Sequence, residues 1–264
     1  MLKRRSIITL DKNREVVTRE AQGDDKSKYF FGETVGVLVF RPWYPAINAP
    51  GHFANMESYD FPVRLAFVDD PFDAAGYMDS SMENRGWNIQ NWVEAAQQLQ
   101  EDGVKAIVCG CGLAGSIQSD LEQAVDIPIY SSTLLFINWM SEKIGRDKTV
   151  GILTIGKDFM STRKLAILEE CGVKKNVKIA IAGMYESNHQ DQFMKYLMEN
   201  GDVDSAISDV VNTAKNLIAN NSDIGGFVVE CTDLTPFSKA IKTATGLPVF
   251  DPVDLLRRVH EQVK

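Results

Sequence analysis

Residues 104–111 read VKAIVCGC, and residues 224–231 read IGGFVVEC. In both stretches an apolar run ends in a cysteine, Cys111 in the first and Cys231 in the second. A proline follows each cysteine after 17 residues and opens a short apolar segment, at Pro128 and at Pro248. Equal spacing of the same residue types indicates an internal duplication, with each copy built as strand, cysteine, helix and Pro-led strand.

A second pair of stretches supports the duplication. The chain reads TVGVLVF at 34–40 and TVGILTI at 149–155, with nearly the same separation as the cysteine segments. Similarity among ordinary strand–helix units explains the apolar runs. It does not explain a cysteine at the same place in both copies.

Eight short runs rich in β-branched residues predict buried strands, at 34–40, 63–68, 106–108, 127–130, 150–155, 177–181, 227–229 and 247–250. Amphipathic helical patterns alternate with them, most clearly at 89–99, 165–171 and 203–218. Strands that are apolar throughout and alternate with such helices favour parallel sheets covered on both faces. The predicted fold class is α/β, with two pseudo-symmetric open parallel-sheet lobes and the active site in the cleft between them.

The duplication also predicts the domain organisation. Residues 1–33 lie outside the alternating pattern and form an N-terminal arm, in which SIITL and EVV indicate a small hairpin. Lobe 1 is predicted at 34–132 plus 249–264, and lobe 2 at 133–248. Ligands of open α/β sheets bind beyond the carboxyl ends of the strands, so both cysteines are expected at that edge of their lobes.

Composition excludes several classes of function. The chain has 264 residues and a formal net charge of −8, which argues against nucleic acid or an anionic membrane as the partner. No apolar run reaches the roughly 18 residues that a membrane-spanning helix needs, and the start of the chain does not resemble a signal peptide. Four cysteines are too few for a disulfide scaffold of this size, so we expect reduced thiols and a cytoplasmic protein.

Two facing cysteines allow several kinds of chemistry. A disulfide between them would lock the cleft, and Cys109 with Cys111 is too closely spaced for a usual zinc pair. A cysteine–histidine nucleophile would need one of the three histidines, His52, His189 or His260, of which only His52 lies in a plausible loop near a strand end. We therefore predict no metal site.

The remaining hypothesis is that the two cysteines catalyse proton transfer at an acidic C–H bond of the substrate. One thiolate removes a proton from one face of a carbon next to a carboxylate, and the other thiol returns a proton to the opposite face. Each thiol would need a lowered pKa, which the start of a helix can provide. Gly112 and Leu113 lead into one predicted helix, and Thr232 and Asp233 lead into the other. The other two cysteines, Cys109 in a strand and Cys171 on an apolar helix face, are expected to pack in the core.

At these residues the sequence resembles the aspartate/glutamate/hydantoin racemase superfamily. The matching segments are Gly110–Ala114 with Gln118 and 127–135, and Val229–Phe237 with 244–251. The resemblance implies a two-lobe α/β fold without a cofactor, Cys111 and Cys231 as the acid–base pair, and a homodimer or higher homo-oligomer.

The sequence departs from the glutamate racemases in two places. Their first strand leads into Asp-Ser-Gly and their second catalytic Cys-Thr is followed by His, whereas this chain has Arg41-Pro42 and Asp233. Pro50-Gly51 and the segment 58–63 instead resemble a subgroup that also resembles the algal lyases of dimethylsulfoniopropionate. In those lyases the cysteine pair is retained for β-elimination.

The substrate is expected to be a small carboxylate, and eight residues are candidates to bind it: Arg41, Tyr44, Gly112, Leu113, Ser132, Thr154, Thr232 and Asp233. Arg41 offers a bidentate partner for a carboxylate, and Tyr44 offers an aromatic face, as does its neighbour Trp43. The first hypothesis is a cofactor-independent racemase or epimerase of a small amino acid or related carboxylate. The second is a lyase or decarboxylase that uses the same carbanion, and the third is a small-ligand-binding protein without turnover.

Overall fold

The computed structural model describes residues 6–10, 16–20, 33–40, 45–70, 86–162, 164–188 and 190–264. Two four-stranded parallel sheets form its framework. The first contains β3 (Val35–Phe40), β4 (Val63–Val68), β5 (Ala106–Cys109) and β6 (Ile129–Tyr130) in the order β4-β3-β5-β6. The second contains β7 (Thr149–Thr154), β8 (Ile179–Gly183), β9 (Ile224–Val229) and β10 (Val249–Phe250) in the order β8-β7-β9-β10.

The strand order is the same in both sheets, which agrees with the predicted duplication. The eight predicted strands are all present, and β3 and β7, the TVG stretches, occupy equivalent positions. Their glycines allow close packing, because a Cβ atom added to Gly36 would lie 2.9 Å from Leu99 and one added to Gly151 would lie 2.7 Å from Phe227. The predicted fold class of two parallel-sheet lobes is confirmed.

Nine α-helices are described between and after these strands, together with short 3₁₀ segments. They are α1 (Ile89–Glu101), α2 (Gln118–Ala124), α3 (Ile137–Ile144), α4 (Lys157–Thr162), α5 (Lys164–Glu170), α6 (Asp191–Lys195), α7 (Val203–Asn220), α8 (Ser238–Thr245) and α9 (Pro252–Val263). Each long helix buries one stripe, as α1 does through Trp92, Ala96 and Leu99. Within the described ranges, no helix combines the length and the apolar character needed to cross a membrane.

Two helices pack against the sheet that the other copy of the duplication forms. Helix α3 follows the first sheet and contacts β7 and β9, whereas α9 follows the second sheet and contacts β3 and β5. One buried apolar cluster accordingly includes Val37 and Val108 of the first sheet and Ile152 of the second. The two sheets are therefore joined by a continuous core.

The predicted extent of lobe 1 disagrees with the observed sheets at one place. The division 34–132 plus 249–264 assigns Val249 and Phe250 to lobe 1, but these residues form β10 and pair with β9 of the second sheet. They do so because the Pro-led strand of each copy lies beside the cysteine strand of the same copy. The division into lobes otherwise stays a prediction.

The arm contains the predicted hairpin. Strand β1 (Ser6–Leu10) pairs antiparallel with β2 (Val16–Glu20), with Leu10 opposite Val16.

Candidate active site

The two predicted cysteines follow equivalent strands. Cys111 comes two residues after the last residue of β5, and Cys231 comes two residues after the last residue of β9. Each has extended backbone angles and is the N-cap of a six-residue 3₁₀ helix, Gly112–Ile117 or Thr232–Phe237. Both therefore lie at the carboxyl edge of their sheet, where the parallel-sheet rule predicts a ligand site.

Contacts across the two lobes bring these edges together. The hydroxyl of Thr232 donates to the carbonyl oxygen of Gly110 at 3.2 Å. The hydroxyl of Thr133, just after β6, donates to the carbonyl oxygen of Val229 at 2.8 Å. The first bond joins the two cysteine segments directly, and the second joins the segment after β6 of the first sheet to the last residue of β9 in the second sheet.

Gly112 brings the two segments closer than another residue would allow. A Cβ atom at this position would lie 2.2 Å from the carbonyl oxygen of Glu230 and 2.3 Å from its Oε1 atom. Glu230 immediately precedes Cys231, so its buried side chain lies against the backbone that follows Cys111.

The surroundings of Cys111 oppose and assist its ionisation at the same time. Burial, followed by the charges of Glu230 and Asp233, raises the pKa of the Cys111 thiol to about 12. The backbone N–H groups of Leu113 and Ala114 act in the opposite direction by donating to the sulfur. The thiol is half-buried.

The surroundings of Cys231 hold its proton more strongly. Burial, followed by the charges of Asp233 and Glu230, raises the pKa of the Cys231 thiol well above its usual range. Its sulfur lies 3.5 Å from Oδ2 of Asp233, which accepts the thiol hydrogen. The backbone N–H of Asp233 lowers the pKa by a smaller amount.

Neither thiol therefore has the lowered pKa that the acid–base hypothesis calls for. Backbone N–H groups do face the sulfurs, as expected. Burial and two carboxyl groups outweigh them, and neither effect is visible from the spacing of the cysteines.

Glu230 is a site residue that the sequence reasoning missed. It is buried, and its Oε2 atom accepts a 2.6 Å hydrogen bond from the hydroxyl of Thr154 at the end of β7. Burial raises the pKa of this carboxyl to about 7, while the Thr154 bond lowers it and the charge of Asp233 raises it. A charged residue at the end of the apolar run FVVE was the available signal.

His52 is also part of the site. Its Nδ1 atom accepts from the backbone N–H of Ala54 at 3.0 Å, so Nε2 carries the ring hydrogen and donates to Oδ1 of Asp233 at 3.0 Å. The backbone oxygen of Asp233 accepts from the hydroxyl of Tyr196 at 3.0 Å. Asp233 thus connects a histidine of the first lobe to the sulfur of Cys231.

The other predicted residues divide into four groups. Gly112, Leu113 and Thr232 lie beside the cysteines and are buried, whereas Ser132 is the N-cap of the 3₁₀ helix Thr133–Phe136 and accepts from the N–H of Leu134 at 3.2 Å. Thr154 gives its hydroxyl hydrogen to Glu230 and is engaged within the protein. Arg41 and Tyr44 lie outside the described residues, as do Trp43 and His189.

Two cysteines and one histidine for which no catalytic role is predicted make packing contacts. Cys109 is buried in β5, and Cys171 is buried with its sulfur 3.6 Å from the carbonyl oxygen of Gly115. The ring of His260 stacks on Phe61 at 3.8 Å and its Nδ1 bonds to the hydroxyl of Thr34.

Comparison with curated proteins finds lyases. Dimethylsulfoniopropionate lyase from Durusdinium sp. clade D is 26% identical over 209 residues, which cover 77% of this chain and 67% of that protein. Dimethylsulfoniopropionate lyase 7 from Emiliania huxleyi is 28% identical over 215 residues, which cover 74% and 62%. Coverage falls to 55% of a third relative, so the chain spans between about half and two thirds of these proteins. No protein-family model matches the chain.

Comparison with solved structures finds racemases and a decarboxylase. Glutamate racemase RacE1 from Bacillus anthracis aligns with a TM-score of 0.53 and 14% identity, covering 87% of this chain and 82% of that one. Unliganded arylmalonate decarboxylase aligns with a TM-score of 0.52 and 15% identity, covering 86% and 91%. The aspartate racemase of Picrophilus torridus aligns with a TM-score of 0.53 and 16% identity, covering 87% and 93%.

The two comparisons find proteins of different activities, lyases by sequence and racemases and a decarboxylase by fold. They also agree with the resemblance that the cysteine segments carry. The chain has the two-lobe α/β fold of the glutamate and aspartate racemases and of arylmalonate decarboxylase, and its sequence is similar to those of the dimethylsulfoniopropionate lyases.

Proposed function

We propose that this chain is a cofactor-independent enzyme that removes the proton next to the carboxylate of a small substrate, with Cys111 and Cys231 as its acid–base pair. The observation that carries the proposal is the equivalent placement of the two thiols at the ends of β5 and β9, with the bond from Thr232 to Gly110 joining those ends. A carbon bound between the two segments would present one face to each thiol. Gly112, Leu113, Ser132, Thr232 and Asp233 are our proposed substrate contacts from the described residues.

β-Elimination is the outcome that we propose first. The sequence relatives are dimethylsulfoniopropionate lyases, whereas the racemases resemble this chain in fold at much lower identity. In an elimination the thiolate takes the proton next to the carboxylate, the C–H electron pair becomes a carbon–carbon double bond, and the bond to the leaving group on the β-carbon breaks. This step needs one base.

The charge of the site supports a substrate that carries a cation as well as a carboxylate. Glu230 and Asp233 place two carboxyl groups beside the thiols. Such groups repel a second negative charge on the substrate and attract a sulfonium or ammonium group. Arg41 and Tyr44, which follow β3 in the sequence, remain our proposal for binding the substrate carboxylate and the cationic group.

Racemisation is the second candidate, and the pseudo-symmetry of the cysteines favours it. It uses the same proton removal, but the proton returns to the opposite face and no bond to a leaving group breaks. The reaction interconverts mirror images, which suits two bases supplied by equivalent strands.

Deuterium tracing separates the outcomes. Dimethylsulfoniopropionate and a set of amino acids are incubated with the protein in D₂O, and the products are followed by proton NMR. A lyase releases an unsaturated acid, and a racemase incorporates deuterium at the α-carbon without a change in connectivity. A binding protein does neither and is only stabilised thermally by its ligand. Absence of both product and exchange across the set would contradict the proposed function.

A further inference from the structure

Among the described residues, a chain of hydrogen bonds leads from the first lobe to the thiol of Cys231, and no such chain leads to the thiol of Cys111. It begins at the backbone N–H of Ala54, passes through the ring of His52 to Oδ1 of Asp233, and ends where Oδ2 lies 3.5 Å from the sulfur of Cys231. His52 and Asp233 are separated by 181 residues in the sequence. The fold therefore assembles this chain across the cleft.

Every member of the chain is held in place. The carbonyl oxygen of His52 accepts a 2.8 Å bond from Ser58, and its ring is buried. The backbone oxygen of Asp233 accepts from Tyr196. With Nδ1 occupied by an N–H donor, the ring presents its one hydrogen to Asp233 and leaves that carboxylate an acceptor.

The two thiols thus meet groups of opposite character. Around Cys231 a carboxylate oxygen accepts, which favours the protonated thiol. Around Cys111 the N–H groups of Leu113 and Ala114 donate, which favours the thiolate. The charges act in agreement with this difference, because Asp233 raises the pKa of Cys231 more than any other charge does, whereas Glu230 has the larger effect on the pKa of Cys111.

We propose that His52 is a positioning residue that holds Asp233 as the acceptor of the Cys231 thiol hydrogen, which makes Cys231 the proton donor of the pair and Cys111 the base. The inference rests on the proposed function. In turnover the substrate C–H bond breaks and an S–H bond forms on Cys111. In an elimination the C–H electron pair becomes the double bond as the leaving group departs with its own bonding pair, and Cys231 keeps its hydrogen and donates it as a hydrogen bond to the substrate carboxylate. In a racemisation Cys231 gives this hydrogen to the opposite face of the carbanion and is then reprotonated from solvent as Cys111 releases its proton.

The experiment measures the reactivity of each cysteine in the intact protein. Thiols are alkylated with iodoacetamide between pH 7 and 10, and the labelled fraction at each cysteine is read by peptide mass spectrometry, since thiolates alone react. The variants are His52→Leu, His52→Gln, Asp233→Asn and the double variant His52→Leu with Asp233→Asn. Circular dichroism reports that each variant is folded, and the labelling rate of Cys231 is compared with its own wild-type rate because Cys231 is buried, as Cys109 and Cys171 are.

Several titratable groups face Cys231 or its partner Asp233. They come from several elements of both lobes and are Glu230, Asp233, Tyr185, Tyr196, Cys111 and His52. Asp233→Asn removes one charge and the acceptor without removing the others. Its effect is therefore measured as the change in the labelling rate of Cys231 at a fixed pH, relative to the labelling rate of Cys111 in the same sample.

We expect Asp233→Asn to speed labelling of Cys231 by about tenfold or more at pH 8, through a larger thiolate fraction. We expect His52→Leu to speed it by about threefold, since Asp233 is no longer held at the sulfur, and His52→Gln to restore the wild-type rate through its amide N–H. His52→Leu should have no further effect in the Asp233→Asn background, and Cys111 should change less than Cys231 throughout.

Unchanged labelling of Cys231 in Asp233→Asn, or an effect of His52→Leu that persists in the Asp233→Asn background, would overturn the inference. These outcomes do not depend on turnover. Failure of the proposed function would be seen separately, as the absence of product and exchange in the deuterium experiment.

Discussion

The hydroxyl of Thr232 donates across the lobe boundary to the carbonyl oxygen of Gly110, at 3.2 Å. Thr232 follows one candidate catalytic cysteine and Gly110 precedes the other. This hydrogen bond therefore joins the two segments that carry the thiols directly to each other. It also gives a stability role to a residue that the sequence indicates only as a substrate contact.

Removal of this bond should impair activity more than stability. In Thr232→Val the shape of the side chain is retained and the hydrogen bond is lost, which costs about 1 kcal/mol of unfolding free energy. Because the bond positions both thiols, we expect turnover to fall by about tenfold or more. Thr243→Val is the matched control, since Thr243 donates to a backbone oxygen of its own helix on the surface. Equal activity of the two variants would contradict the positioning role.

The cysteines should separate into two that react and two that pack. We expect Cys111→Ala to abolish turnover, and Cys231→Ala to lower it by about 100-fold or more because the substrate carboxylate loses a hydrogen-bond donor. Cys109→Ala should keep most of the turnover because Cys109 is buried in β5. Full turnover in either of the first two variants would exclude the acid–base pair. If Cys231 is the donor, Cys231→Ala should still exchange the substrate proton with D₂O, and Cys111→Ala should not. Proton NMR in D₂O measures both reactions.

Turnover should rise with pH when Cys111 is the base. Its pKa lies at about 12, so the thiolate fraction increases by roughly tenfold per pH unit between pH 7 and 10. The carboxylate of Glu230 opposes this ionisation, and Glu230→Gln removes its charge. We therefore expect the pH profile of kcat/KM in Glu230→Gln to move to lower pH, while a move to higher pH or a flat wild-type profile would contradict the assignment.

Much of the framework is visible in the sequence because it depends on local patterns. Apolar runs predict the eight strands, and the repeat of VKAIVCGC as IGGFVVEC places both cysteines at equivalent strand ends. The position of Val249 differs from the predicted lobe division, because the partner of a two-residue strand is set by sheet order and not by its own sequence.

The electrostatics of the site depends on contacts that no local pattern encodes. Thr154 and Glu230 meet because β7 and β9 are neighbours, and His52 reaches Asp233 from a loop of the other lobe. These contacts, together with burial, reverse the predicted direction of the thiol pKa values. The sequence around each cysteine does not reveal these contacts.

The buried carboxyl of Glu230 should make stability depend on pH. Its pKa rises from 4.5 to about 7 in the folded protein, so the protonated form is favoured by folding. This stabilisation is complete below pH 4.5 and is lost as the pH rises through 7, by an amount on the order of 3 kcal/mol. We expect urea unfolding at pH 5 and pH 8 to show this loss in the wild type.

Glu230→Gln isolates the contribution of this one group. The variant has no titrating carboxyl at this position, so it should lose less stability than the wild type between pH 5 and pH 8. Asp251, whose pKa burial raises to about 6, adds a change of the same sign and remains in both proteins. The same loss of stability in wild type and variant would show that Glu230 is not the titrating group.

The absence of a side chain at Gly112 should be essential for closing the site. An added Cβ atom would lie 2.2 Å from the backbone oxygen of Glu230, which has no room to move because β9 precedes it directly. We expect Gly112→Ala to separate the cysteine segments, with turnover reduced by about 100-fold and the free energy of unfolding lowered by about 1–3 kcal/mol. Gly246→Ala is the control: nothing lies within 4 Å of its added Cβ atom, and its left-handed backbone costs about 1 kcal/mol. Both variants should lose stability, and only Gly112→Ala should lose activity, so an active Gly112→Ala protein would show that the two segments need not approach as closely as they do here.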